Sequence, residues 1–92
     1  MKQLDFKELK VRIGIEETEV HDLRKEVGNA LYRLAETVPM AELAKKIYYS
    51  DGVMEITDDD FDKMMDLFNG KFKRFIIDSI NENVKNIKEV EE

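Results

Sequence analysis

Seven carboxylates crowd residues 51 to 66 (Asp51, Glu55, Asp58, Asp59, Asp60, Asp62 and Asp66) against a single cation, Lys63. Oxygen donors at that density suit a hard cation or an acid–base pair, so calcium binding is the first chemistry to test. If Ile56 takes the central hydrophobic position of a calcium loop, Asp60 becomes its terminal ligand and Tyr49 its first residue. The first, third and fifth positions are then Tyr49, Asp51 and Val53, so two of three early oxygen ligands are missing. Gly52 falls at the fourth position where the sixth needs it, and Asp60 replaces a bidentate glutamate. A simpler reading uses every residue. Val53 to Ile56 is a short strand, Thr57 caps a helix, and Asp58, Asp59 and Asp60 complement the dipole of its first turn. No metal is expected here. An acid–base pair drawn from Asp58 to Asp62 would need an apolar pocket, and the sequence offers no sign of one.

The lone histidine, His21, follows Glu17 by four residues and precedes Asp22. One imidazole without a thiolate is an uncommon zinc site, and a surface histidine in the first turn of a helix is the expected reading. Ser50 and Ser79 lie in no nucleophile elbow, and His21 is the only imidazole base that could serve them. The four glycines are too scattered for a phosphate loop, and with no cysteine there is no thiolate chemistry. These residues point to a chain that is not an enzyme and takes no cofactor.

Two clusters point instead to binding. Lys71-Phe72-Lys73-Arg74-Phe75 interleaves cations and rings, the pattern with which single-stranded nucleic acid is stacked and neutralised. Lys71, Lys73 and Arg74 are the candidate anion or nucleic-acid contacts. Phe72, Phe75 and Ile76, however, share one helical stripe, which predicts buried rings. Three cations at a helix N-terminus also oppose its dipole; pairing with the acidic helix of the same or another copy would account for both charge anomalies. The second cluster is Met64, Met65, Phe68, Phe72 and Phe75, whose adaptable side chains suit either a core or an interface with protein.

Which elements carry these residues follows from periodicity. Leu9, Val11, Ile13 and Ile15 alternate with polar residues, so a half-buried strand is expected over 9–15. Leu4 and Phe6 alternate in the opposite phase, implying either a bulge near Lys7-Glu8 or a separate short extension. Thr18 is expected to cap a helix striped by Val20, Leu23, Val27, Ala30, Leu31 and Leu34. Gly28 in its middle costs about 1 kcal/mol relative to alanine, which close approach of another backbone would explain. Thr37-Val38-Pro39 starts a second helix with Met40, Leu43, Ala44, Ile47 and Tyr48 inward, and Ser50-Asp51-Gly52 ends it with a left-handed glycine. After the strand 53–56, Phe61, Met64, Met65 and Phe68 line a third helix. Phe72, Phe75, Ile76, Ile80, Val84 and Ile87 line a fourth over 71–88. A single helix from 58 to 88 would be roughly 46 Å long, and Asn69-Gly70 favours two. Residues 88–92 are expected to fray. The fold class is α+β, predominantly helical, in the order β-α-α-β-α-α with a small two-stranded sheet packed on helices.

Ninety-two residues, 42% apolar and 39% charged, fit one folded domain. The net charge of −6 comes entirely from residues 51 to 66; residues 1 to 50 hold nine acids and nine bases, and 67 to 92 five of each. That balance argues against nonspecific duplex binding. No apolar run exceeds three residues, against the roughly 20 that span a bilayer, and the first residues lack the apolar core of a secretory signal. A cytoplasmic protein without membrane contact is expected. The segments Glu26 to Tyr32 and Ile47 to Asp58 resemble small uncharacterised proteins of prophages and other mobile elements, similar to accessory or assembly factors. That resemblance spans about 20 residues, carries no catalytic residues, and implies an assembly role. Together these readings give a noncatalytic protein–protein interaction or assembly module. It would self-associate, as a homodimer for example, through helices 58–68 and 71–88. The alternative is a nucleic-acid-associated accessory protein using Lys71 to Phe75.

Overall fold

The computed structural model describes residues 1–86. It is an α+β fold of five strands and four helices: β1 (Lys2–Asp5), β2 (Leu9–Arg12), β3 (Thr18–His21), α1 (Arg24–Leu34), α2 (Val38–Tyr48), β4 (Val53–Ile56), α3 (Asp58–Phe68), α4 (Arg74–Asn83) and β5 (Lys85–Asn86). The strands form two sheets, not one. A three-stranded antiparallel sheet has the order β4-β1-β5, and β2 and β3 form a separate hairpin.

Leu4 belongs to a strand of its own, and Phe6 lies in the bend that follows it. β1 pairs with β4 from Lys2↔Ile56 to Asp5↔Val53, which buries Leu4 against the helices. Asp5 ends it locally, because its Oδ1 accepts from the N–H groups of Lys7 (2.9 Å) and Glu8 (3.1 Å) and turns the chain into β2. The expected 9–15 strand stops at Arg12. Ile13 donates to the Glu17 carbonyl (3.0 Å) and the chain returns as β3. Thr18 and Val20 therefore belong to a strand, not to a helix cap and stripe, and His21 lies at a strand end instead of in a first turn. Helix α1 begins only at Arg24, with Leu23 donating to the Phe6 carbonyl (2.8 Å).

Two of the expected N-caps, Thr37 and Thr57, fall where the sequence puts them. Thr37 accepts from Met40 N–H (3.4 Å), with Pro39 in the first turn, and Thr57 accepts from Asp60 N–H (3.1 Å). Asn69-Gly70 does split α3 from α4, and Gly70 takes φ +85°, the left-handed region. Gly52 does not; Gly70 has the only positive φ among the described residues, so the expected glycine stop after α2 is replaced by a simple turn. Helix α4 spans 74–83, shorter than 71–88. The readings on Ile87 and on residues 88–92 lie outside the described residues.

Residues 35–37 fold α2 back on α1, and Gly28 is where the two helices meet. A Cβ on Gly28 would stand 3.0 Å from the Ala44 carbonyl oxygen, 3.0 Å from Tyr48 Cβ and 3.1 Å from Tyr48 N. None of these atoms is the free end of a flexible side chain, so the helices would have to separate. Gly28→Ala is thus expected to lose about 1 kcal/mol net: overpacking of about 1–3 kcal/mol outweighs the propensity gained. Thermal unfolding should show a melting point several degrees lower; an unchanged or raised melting point would mean the helix pair can open freely.

Candidate interaction surface

Helix α4 holds the hairpin by an unusual device. Strand β2 runs along it, and α4 supplies polar side chains where a sheet would supply another strand. Asn83 Oδ1 accepts from Lys10 N–H (3.1 Å), and its Nδ2 donates to the Lys10 carbonyl (2.8 Å) and to the Ser79 carbonyl (2.6 Å). Ser79 Oγ accepts from Arg12 N–H (2.8 Å) and donates to the Phe75 carbonyl (2.6 Å). Ser79 is fully buried, and this pairing satisfies it. One turn along, Glu82 takes the Arg12 guanidinium at 2.9–3.2 Å, while Arg12 Nη1 donates to the Ile15 carbonyl at the hairpin turn (2.6 Å). The inner edge of the hairpin is closed.

The outer edge is open. Ile13 and Glu17 exchange a backbone bond, so alternation makes Val11–Glu19 and Leu9–His21 the hydrogen-bonded pairs. The same phase sends the N–H groups of Lys10 and Arg12 toward α4, as observed. It sends the N–H and C=O groups of Thr18 and Val20 away from β2. Every residue of β3 is exposed, and among the described residues no strand pairs with this edge. Apolar side chains surround it: Ile13 is 48% exposed, Ile15 91% and Val20 57%. The expected half-buried strand thus buries only Leu9 and Val11. Glu19 and His21 share one face, with His21 Nε2 3.1 Å from Glu19 Oε1.

The root of the hairpin is rigidly tied. Asp22 binds the Arg24 guanidinium (2.7 and 2.9 Å) and Arg24 N–H (3.2 Å), while Arg24 Nη1 donates to the Ser50 carbonyl (2.6 Å) at the end of α2. Side-chain and backbone hydrogen bonds from Arg24 lower the Asp22 carboxyl from its ordinary value to about 2.

The sequence-expected residues divide. Met64 and Phe68 are fully buried, so as folded they are closed to a partner; Met65 and Phe72 are half-buried, with the Phe72 ring edge-on to Phe68 at 4.8 Å. Phe75, expected inside, is 44% exposed because α4 turns Ile77, Ser79 and Ile80 inward. Lys71, Lys73 and Arg74 are exposed, and Arg74 pairs with Asp78 on its own helix (2.9 Å), not with the acidic helix. The acids of α3 meet other cations: Asp58 contacts the Met1 ammonium (2.9 Å), which holds its carboxyl below the ordinary value, and Asp59 contacts Lys63 (3.0 Å). Among the described residues no group of three His, Asp or Glu side chains is placed to hold a metal, and no helix is long and apolar enough to cross a membrane. The chain matches no family model, no curated protein and no solved structure.

Sequence reasoning missed β3, Ser79 and Asn83. The sequence carried no alternation that marks β3, since Val20 is the one apolar residue of Thr18–His21; the signal for the other two was a pair of polar residues four apart inside the apolar stripe of α4.

A group whose folded pKa is depressed stabilises above its unfolded value and stops doing so as pH falls through the folded one. For Asp22 that window runs from about pH 4 down to about 2. A carboxyl-carbon NMR titration should place its midpoint near the bottom of that window, and Arg24→Gln should return it to the ordinary carboxylate range. An ordinary midpoint in the unsubstituted protein would contradict the hairpin-root geometry.

Proposed function

We propose that the chain is a noncatalytic protein–protein association module whose contact surface is the β2–β3 hairpin. The observation that supports it is the combination of an unpaired strand edge with three exposed branched aliphatics, Ile13, Ile15 and Val20, on an arm tied down at its root and its inner edge. Unpaired edges template strand addition, and natural proteins guard them with proline and with charges, lysine above all; β3 carries no proline or lysine, and its one carboxylate, Glu19, has His21 beside it. The Met/Phe stripe retains a part only through Phe75 and the half-buried Met65 and Phe72.

Lysine-reactive cross-linking in a lysate of the chain's own cells tests this reading. Intermolecular links should concentrate at Lys10, the register partner of Val20, and should vanish in a folded Ile15→Asp, Val20→Asp double variant. Links concentrated at Lys45 and Lys46, or a pattern unchanged in the double variant, would contradict it.

A second reading has one observation in its favour: Phe75 is exposed, as are Lys71 and Lys73 four and two residues before it in sequence, and exposed rings and cations are what a single-strand contact needs. It predicts binding of a single-stranded oligonucleotide whose log–log salt slope is about −1.4 and which Lys71→Glu with Lys73→Glu removes. Absence of binding at low salt rules it out.

A further inference from the structure

Strand β3 is complementary to itself. Within β3 the residues whose backbone groups point outward are Thr18 and Val20, and these set the phase in which a strand added at this edge can exchange hydrogen bonds. For two copies related by a two-fold axis, this phase allows few antiparallel registers. Centring on Thr18 sets Glu17 against Glu19, and centring on Glu19 sets Glu19 against its own copy. Centring on His21 opposes two imidazoles, and centring on Asp22 opposes two aspartates. The facing carboxylates of these registers repel, and the His21-centred one leaves each imidazole without a complementary partner opposite it.

Centring on Val20 is different. It sets Val20 against Val20, Thr18 against Asp22, and Glu19 against His21 twice. Glu19 and His21 already share one face of the strand and already sit at ion-pair distance within one chain. Two copies in this register would place the two pairs side by side as a square of alternating carboxylates and imidazoles, with the valines meeting on the other face. We infer that the open edge of β3 takes a second copy of this chain, in the register Val20 to Val20, which joins two hairpins into a four-stranded antiparallel sheet β2-β3-β3-β2. The inference rests on the hairpin being the association surface and adds to it the identity of the partner. Ser79 and Asn83 restrict this growth to one side, because the β2 edge is already hydrogen-bonded. The assembly therefore closes at two copies instead of extending as a fibre.

An edge of four residues is a small interface, in the class below about 1,200 Å² that gives weak complexes, so sedimentation is followed up to about 1 mM protein. The chain has no cysteine, so introduced thiols report position without interference. Val20→Cys should form a disulfide dimer under mild oxidation much faster than Val38→Cys, a more exposed site on another element; opposed Cα atoms about 5.5 Å apart are within disulfide reach. Glu19→Cys and His21→Cys should cross-link with each other and poorly with themselves. Glu19→Lys should weaken the dimer about tenfold, since each substitution changes two symmetry-related contacts, and adding His21→Glu should restore it. Preferential Glu19→Cys homodimers, or Val20→Cys reacting no faster than Val38→Cys, would overturn the register. A wild-type chain that stays monomeric throughout, yet whose lysate cross-links still vanish in the Ile15→Asp, Val20→Asp variant, would overturn self-pairing and leave the association reading standing.

Discussion

The backbone of β2 must have its hydrogen bonds, and a helix supplies them. Lys10 and Arg12 turn their N–H groups toward α4; the Arg12 bond is part-buried, where an unmet donor would cost on the order of 1–3 kcal/mol, and the Lys10 bonds lie nearer the surface. Asn83 meets Lys10 with an amide that donates and accepts as a peptide group would, and Ser79 meets Arg12. Everything else about the hairpin follows. With its inner edge fixed to a helix, β2 cannot join the β4-β1-β5 sheet, and β3 is left outermost. The exposed arm is therefore a consequence of how α4 is built, and the surface it presents belongs to the fold.

The second constraint is the close crossing of α1 and α2 at Gly28, which packs Val27, Leu31, Leu43, Ala44 and Ile47 into the core. Helix α3 adds Phe61, Met64 and Phe68 to the same core, and its acidic first turn serves as dipole complement and ion-pair partner. The charge segregation along the sequence thus acts locally. It is spread over a helix start, the chain's first ammonium and a neighbouring lysine.

Much of this was legible because its signals are local. Thr37-Val38-Pro39, Thr57 with three aspartates, and Asn69-Gly70 each carry their own geometry, and each fell where expected. The misread segments depend on distant partners. Thr18 followed by Glu19 resembles a helix cap, and Val20 happens to keep the phase of the α1 stripe. Only the turn at 13–17 and the pairing of Val20 with Lys10 make it a strand. Leu4 needed β4, nearly fifty residues away in sequence, to become a sheet position. Phe75 fits an apolar helical stripe, but Ser79 claims the inward face because β2 needs its hydroxyl. The α+β class was readable, whereas the hairpin that carries the candidate surface was not.

Residue-resolved amide hydrogen exchange across a concentration series tests the central claim most directly. It is that β2 is sealed by α4 while β3 remains open for a second copy. The account predicts that the Lys10 and Arg12 amides are protected at every concentration, and that the Val20 amide exchanges fast in dilute solution and slows as protein is added. A Val20 amide already protected in dilute solution, one that stays fast at the highest concentration, or Lys10 and Arg12 amides that exchange freely would contradict it.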